Sequence, residues 1–246
     1  MAGGVDDDVT ADTLLRGRVR LYQPARGARM SLDPVLLAGF LAPPYGRFLD
    51  IGCGAGPLAF LLLARDPAAA GVGVELQPRL AALAARGRDD NGWGTRLEIV
   101  EGDVRALGPR LGAGAFDLVA TNPPYRTVAS SPPSPNPERA LAHNEIALRL
   151  VEWVAAAARA VRPGGRVAAI LPAARGGELL EALAAQALAP ARTRQVHPRA
   201  GEPASRVLVE ARRGGGVSLM IEPPLVVHEA SGGFTPEVRR MLGETA

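Results

Sequence analysis

Lysine is absent from the 246 residues, so all 28 basic Lys/Arg positions are arginine. A single cysteine, Cys53, excludes an intramolecular disulfide and points to a reducing, cytoplasmic setting. Apolar residues make up 47% of the chain. No uninterrupted apolar run approaches the roughly 18 residues of a membrane-spanning helix, so no membrane association is expected. The first ten residues lack a basic segment and carry Asp6, Asp7 and Asp8, which argues against a secretory leader. His197 and His228 have no metal-ligand spacing with each other or with Cys53, so no metal is expected, and Cys53 is expected to pack rather than react. No internal repeat is present.

The net charge of +3 and pI near 9.7 permit a polyanionic partner without requiring one. Placement is more informative than the total. Arg16, Arg18, Arg20, Arg26 and Arg29 fall in a stretch without an acid. Arginine's planar fork suits phosphates, although a solvated hairpin face would also account for the cluster.

The length suits one globular domain. Residues 1–14 are acidic and patternless and read as a mobile tail, followed by a single domain over 15–246 that includes an N-terminal extension, 15–46. Within the extension, Val19–Gln23 alternates as a short strand, and Asp33 with Pro34 offers an N-cap and first-turn proline for a helix to about Leu41. RFLDIGCGAGPLAFLLLA then reads as strand, glycine turn and helix, and GVGVEL as a second strand before a helix from Pro78 to about Asn91. RLEIVEG, AFDLVAT and GRVAAIL read as further strands, with helices near Glu138–Val161 and Arg175–Ala187. ARTRQVHP and SRVLVEARR read as an antiparallel pair, and residues 218–241 as a short strand and a last helix. Strands alternating with helices give a doubly wound α/β fold, a mostly parallel sheet with helices on both faces.

In such sheets ligands bind beyond the carboxyl ends of the strands. Gly52, Gly54 and Gly56 lie there, and the helix start after them is expected to offer unpaired N–H groups. A dinucleotide fingerprint would place Gly or Ala where this chain has Pro57. Glu75 and Asp103 close later strands; one carboxylate can hold a ribose diol and another can accept from an exocyclic amine, or both can be capping and surface residues. Taken in order, these features resemble the S-adenosylmethionine pocket of class I methyltransferases. The resemblance implies a Rossmann-like, mostly parallel seven-stranded sheet with an antiparallel terminal strand. It implies Asp50, Gly52, Gly54 and Gly56 at the methionine end, Glu75 at the ribose, Asp103 with the Val104 amide at adenine, and Asn122 as a further cofactor contact.

TNPPY, Thr121 to Tyr125, resembles the [D/N/S]PP[Y/F/W] motif of methyltransferases that alkylate an amine conjugated to a π-system. The lone pair of such an amine is delocalised. If the Asn122 side-chain oxygen and the Pro123 carbonyl each accept one N–H, the lone pair is turned toward the sulfonium methyl, and no strong base is required. Pro123 and Pro124 hold these acceptors in place, and Tyr125 can stack on the flat target. A polar turn beside a buried aromatic is the structural alternative.

The motif serves adenine and guanine bases and protein glutamine. The preface GRVRLYQPARGARMSLDPVLLAGFL resembles that of the bacterial tRNA1(Val) (adenine-N6)-methyltransferase family. The likeness continues through NPPYR, SPNPERALAHNE, VHPRAGEPASRVLVEARRG and PPLVVHEASGGFTPEVRRML, so it spans roughly residues 17–242. Thr121 and Met30 depart mildly from the family pattern. The resemblance implies N6 methylation of a tRNA anticodon-loop adenosine. Arg18, Arg20, Arg26, Arg126 and Arg139 are the expected RNA contacts, and the proline- and serine-rich loop after Tyr125 the expected lid. His143 is read as either a phosphate contact or a helix-surface residue. The alternatives are methylation of a protein glutamine or an rRNA guanine, or a non-catalytic RNA-binding module.

Overall fold

Short runs of Val, Leu, Ile and Phe, bounded by glycine, proline and acids, become the strands of a central sheet in the computed structural model, which describes residues 8–27, 29–123, 148–214 and 219–244. Val9–Leu14 (β1) and Val19–Pro24 (β2) form an antiparallel hairpin, and Asp33–Phe40 is α1. Then follow Arg47–Ile51 (β3), Pro57–Arg65 (α2), Ala70–Glu75 (β4), Pro78–Asp90 (α3), Leu97–Glu101 (β5), Gly108–Leu111 (α4) and Phe116–Thr121 (β6). Leu150–Ala160 (α5), Val161–Pro172 (β7), Gly176–Ala185 (α6), Leu188–Arg199 (β8) and Arg206–Arg213 (β9) continue the chain. Met220–Ile221 (β10), Leu225–His228 (β11) and Pro236–Met241 (α7) complete it.

The main sheet has the order β10-β8-β9-β7-β6-β3-β4-β5, with β11 also paired to β8, nine strands in all. β3, β4, β5, β6 and β7 pair in parallel, and β9 runs antiparallel to both β7 and β8. The expected seven strands are all there, but the count is corrected at one edge. β10 and β11 extend β8 on either side of Pro223 and Pro224, whose missing N–H groups interrupt what would otherwise be one edge strand.

Alternation along the strands sends side chains to two cores. Phe48, Leu118 and Ala120 pack with α1, α2 and α3, whereas Leu49, Ile51 and Val119 pack with Trp153 of α5 and Leu179 of α6. The mid-helix Gly87 of α3 has a packing reason: a Cβ there would fall 2.7 Å from the Phe60 ring.

Two expectations for the N-terminal region are corrected. Residues 9–14 are not part of a tail but form β1, because every residue from Val9 to Leu14 pairs with β2; the acidic composition of the segment hid this. Asp33 does not cap α1. Leu32 holds the N-cap position, and the buried Asp33 carboxylate accepts from Arg206 Nε at 3.2 Å. Of the helix expected near Glu138–Val161, the part from Leu150 to Ala160 is α5 and residues 138–147 lie outside the described residues. Among the described residues no helix is long and apolar enough to cross a membrane.

The hairpin is fastened to α3 by Asn91, the C-cap of that helix. Its side chain accepts from Arg20 N (2.9 Å) and donates to Arg20 O and Gly87 O (both 2.7 Å). The Arg86 guanidinium lies 3.8 Å from the Tyr22 ring centroid, and the Tyr22 hydroxyl donates to Asp90. Asn91→Ala should cost about 1–3 kcal/mol for these part-exposed bonds. Hydrogen exchange should accelerate in β1 and β2 while β3 to β7 keep their protection; equal acceleration across the sheet would show that Asn91 is not the hairpin's anchor.

Candidate active site

The chain moves from β3 to β4 and β5 on one side, then crosses to β6 on the other side of β3. This reversal opens a crevice at the carboxyl ends of β3 and β6. Register keeps those ends level: Ile51 pairs with both Val74 and Thr121, and Glu75 with Glu101. The Thr121 hydroxyl donates to Ile51 O at 2.8 Å and locks β6 to β3 at the crevice. That bond gives a local role to a residue that departs from the family pattern.

A pocket of about 200 Å3 occupies the crevice. It brings together Asp50, Gly52, Gly54, Glu75, Asp103, Val104, Asn122 and Pro123, which the sequence assigned from four separate strand ends. Gly56 acts one step back. Its φ of +92° and the Phe60 ring, 2.7 Å from where a Cβ would stand, admit only glycine before α2. Pro124, Tyr125, Arg126, Arg139 and the loop containing His143 lie outside the described residues.

The three acids are differently held. Asp50 is 1% exposed and its Oδ2 accepts from Ala59 N in α2 at 3.1 Å. Burial pushes this carboxyl up to about 7; the Ala59 N–H opposes the rise and the neighbouring Glu75 adds to it. Glu75 accepts from Gly54 N and Gln77 N, both at 2.8 Å, and burial raises it against those two bonds. Asp103 is clamped by Arg105, whose Nε reaches Oδ1 and Oδ2 at 2.9 and 3.0 Å, and this holds its carboxyl below the usual range. Arg105 also reaches Glu152 of α5.

Within the glycine turn itself most amides are engaged. Gly52 N and Cys53 N donate to Val74 O, Gly54 N to Glu75 and Gly56 N to Cys53 O. These amides point inward, so the turn is not a phosphate cradle. The donor set suits a cationic nucleoside: three carboxylates for hydroxyl, amine and positively charged groups, and the buried Gln77 Oε1, which has no hydrogen-bond partner among the described residues. It does not suit a pyrophosphate, and in that respect it fits S-adenosylmethionine. Among the described residues no group of His, Cys, Asp or Glu is placed to hold a metal ion. Cys53 is buried and its thiol is pushed up by that burial, with Asp50 and Glu75 adding to the rise.

Sequence reasoning missed the wall on the hairpin side, where Gln23, Arg29, Met30 and Ser31 line the pocket, and also Leu76, an exposed leucine beside Glu75 that offers an apolar surface to a flat ring. The signal was present in the family-specific preface, but without coordinates it carried no position.

Asp50 generates a pH prediction. Its folded value, about 7, lies above the 3.8 of an unperturbed Asp. The native state therefore holds a proton that the unfolded chain releases, and stability falls as pH rises from about 4 to about 7. Asp50→Asn keeps an oxygen for Ala59 N and removes the titration. Its melting temperature relative to wild type should rise between pH 5 and pH 8; a difference independent of pH would mean that Asp50 is ionised throughout.

Comparison with known proteins agrees with this geometry. Residues 32–175 match the family described as methyltransferase small domain. A tRNA1(Val) (adenine(37)-N6)-methyltransferase of Aeromonas hydrophila is 32% identical over 210 residues, 84% of this chain and 85% of that protein. A release factor glutamine methyltransferase of Cereibacter sphaeroides is 35% identical over 163 residues, but the match covers only 61% of this chain and 57% of that one. The crystal structure of a predicted O-methyltransferase from Agrobacterium tumefaciens superposes with a TM-score of 0.70 at 26% identity, over 85% of this chain and 94% of the other. With the pocket and the Asn-Pro strand end in place, the chain belongs to the S-adenosylmethionine-dependent tRNA1(Val) (adenine-N6)-methyltransferase family.

Proposed function

We propose that the protein methylates the N6 amine of an adenosine in a tRNA anticodon loop, in the cytoplasm. The observation that carries this reading is that Asn122 and Pro123, at the end of β6, line the same pocket as Asp50, Glu75 and Asp103. S-adenosylmethionine supplies an electrophilic methyl on a sulfonium. The chain's part is orientation. The Asn122 side-chain oxygen and the Pro123 carbonyl each accept one hydrogen of the adenine amine, which draws the nitrogen out of conjugation and aims its lone pair. The nitrogen so aimed would take the methyl that the bound cofactor supplies from its sulfonium, and the extra proton of the amine would leave to water. In this reading Pro124 stiffens the turn, Tyr125 stacks on the base, and Arg126 and Arg139 contact the backbone near it.

The protein-glutamine alternative has weaker support. The glutamine methyltransferase match covers little more than half of that protein, whereas the adenine-tRNA relative is matched over most of its length. Within the preface, Arg18, Arg20 and Arg26 are exposed. Gln23 lines the pocket, and Arg20, three residues before it in β2, stands about 10 Å from it at 3.4 Å per residue, with Arg18 beyond in the hairpin turn. That separation suits phosphates beyond the target nucleotide.

Two experiments test the reading. Labelled cofactor and unmodified tRNA should give N6-methyladenosine, identified by mass spectrometry of the nucleosides. Asn122→Ala should lower turnover by ~100-fold or more while cofactor binding persists, the scale of losing one preorganised acceptor. A labelled nucleoside other than N6-methyladenosine, or turnover retained in the variant, contradicts the assignment. In the second experiment Arg18, Arg20 and Arg26 are replaced by alanine together. Affinity for tRNA should fall and its dependence on salt should flatten, because fewer counterions are released on binding. An unchanged salt slope would take the hairpin out of the RNA surface.

A further inference from the structure

Among the described residues Arg29 is the one basic side chain that lines the pocket, beside the carboxyl groups of Asp50, Glu75 and Asp103. S-adenosylmethionine brings an α-carboxylate as well as its sulfonium and ammonium groups, and that carboxylate requires donors. The glycine turn has few to give, since the amides of Gly52, Cys53, Gly54 and Gly56 are already engaged.

In the sequence Arg29 is the last member of an arginine cluster that reads as an RNA surface. The structure separates it from the others. Arg29 Nη1 donates to Thr10 Oγ1 (2.7 Å) and Pro24 O (3.0 Å), and Nη2 to Asp12 Oδ2 (3.0 Å). Among the described residues these bonds use three of the five guanidinium N–H groups and leave the Nε–H and one Nη2–H, the pair of donors that a carboxylate can take. Asp12 is the hub of the arrangement. Its Oδ2 also accepts from Thr10 Oγ1 (2.6 Å) and from Gln23 Nε2 (2.9 Å), and Gln23 Oε1 in turn accepts from Met30 N (2.7 Å). β1 is thus tied to the pocket wall through Gln23 and Arg29, both of which line the pocket.

The geometry points to Arg29 as the residue that receives the cofactor's α-carboxylate, with Asp12 and Thr10 of β1 as positioning residues that hold its guanidinium at the pocket mouth. This rests on the S-adenosylmethionine assignment and adds to it a binding residue from the hairpin.

Calorimetry with two ligands tests it. S-adenosylhomocysteine carries the carboxylate; 5′-methylthioadenosine keeps the adenosine and thioether but lacks the amino-acid end. Arg29→Ala should weaken S-adenosylhomocysteine by about 10- to 100-fold, the range of a charge-assisted hydrogen bond, and leave methylthioadenosine within about twofold. Arg29→Lys should recover part of the loss. Asp12→Asn, which keeps an acceptor but not the charge, should show a smaller loss confined to S-adenosylhomocysteine. Methylthioadenosine binding reports that the pocket is folded in each variant. Equal losses for the two ligands in Arg29→Ala and Asp12→Asn would overturn the proposal, because Arg29 would then only shape the wall. Unchanged S-adenosylhomocysteine binding with weakened tRNA binding would also overturn it, returning Arg29 to the RNA surface. If the wild-type protein bound neither ligand, the cofactor assignment would fall as well, a result distinct from either of these.

Discussion

The parallel pairing of β6 with β3 is the constraint on which the site depends. Parallel register, fixed at Asp50–Ala120 and Ile51–Thr121 and tied by the Thr121 hydroxyl, puts the last residue of one strand beside the last residue of the other. The glycine turn leaves β3 and the Asn-Pro turn leaves β6 at the same level, so neither needs a long loop to reach the other. Glu75 and Asp103 arrive by the same rule, one strand and two strands away from β3. A one-residue slip of β6 would turn the Asn122 side chain to the other face of the sheet. The apolar residues of both strands enforce the register, since Phe48 with Leu118 and Leu49 with Val119 must each reach the correct core.

Much of this was legible in the sequence because strand-end residues announce themselves. An apolar run that stops at glycine, acid or proline places those residues at the ligand edge of a parallel sheet, and DIGCGAG, GVGVEL and ATNPP all have that form. The hairpin was legible only in part. Val9–Leu14 contains threonines and an aspartate and has no buried face strong enough to mark a strand, and its order comes from pairing with β2. Long-range partners were also hidden. Nothing local ties Asp33 to Arg206, Asn91 to Arg20 or Arg29 to Asp12, and each pair is made by the way the chain folds back on itself. The glycine turn was legible in place, but not the partners of its amides. Its glycines supply positive φ at Gly52, Gly54 and Gly56, but its amides serve the protein rather than a ligand.

The absence of lysine changes how the surface works. Arginine forks reach several acceptors at once, and the described structure uses them as internal ties: Arg105 joins Asp103 to Glu152, Arg192 holds Glu222 while lying over Phe40, and Arg194 holds Glu237. An overall excess of three positive charges therefore says little about where an anion can dock. What matters is which guanidinium groups are committed, and to what. In the hairpin, Arg16 leans toward Glu244, Arg29 is held by Asp12 and Thr10, the exposed Arg18 donates through Nε to Leu15 O at 3.1 Å, and Arg20 and Arg26 are exposed.

The same accounting bears on the chemistry. A carboxyl near 7 would by its number suit a general base, and Asp50 has that value. Geometry decides otherwise. Asp50 is buried and bonded to the first turn of α2, Glu75 is spent on Gly54 and Gln77, and Asp103 is clamped by Arg105. Each acid is committed to holding the pocket. An adenine amine needs no base before attack, because its lone pair, once turned out of conjugation, is the nucleophile, and the proton becomes acidic only after the new bond has formed. On the proposed reading, with Asn122 and Pro123 as the acceptors and no acid of the pocket at liberty to act as a base, the site is suited to alkylating a weakly basic, conjugated nitrogen, and catalysis would rest on how firmly the end of β6 is held against β3.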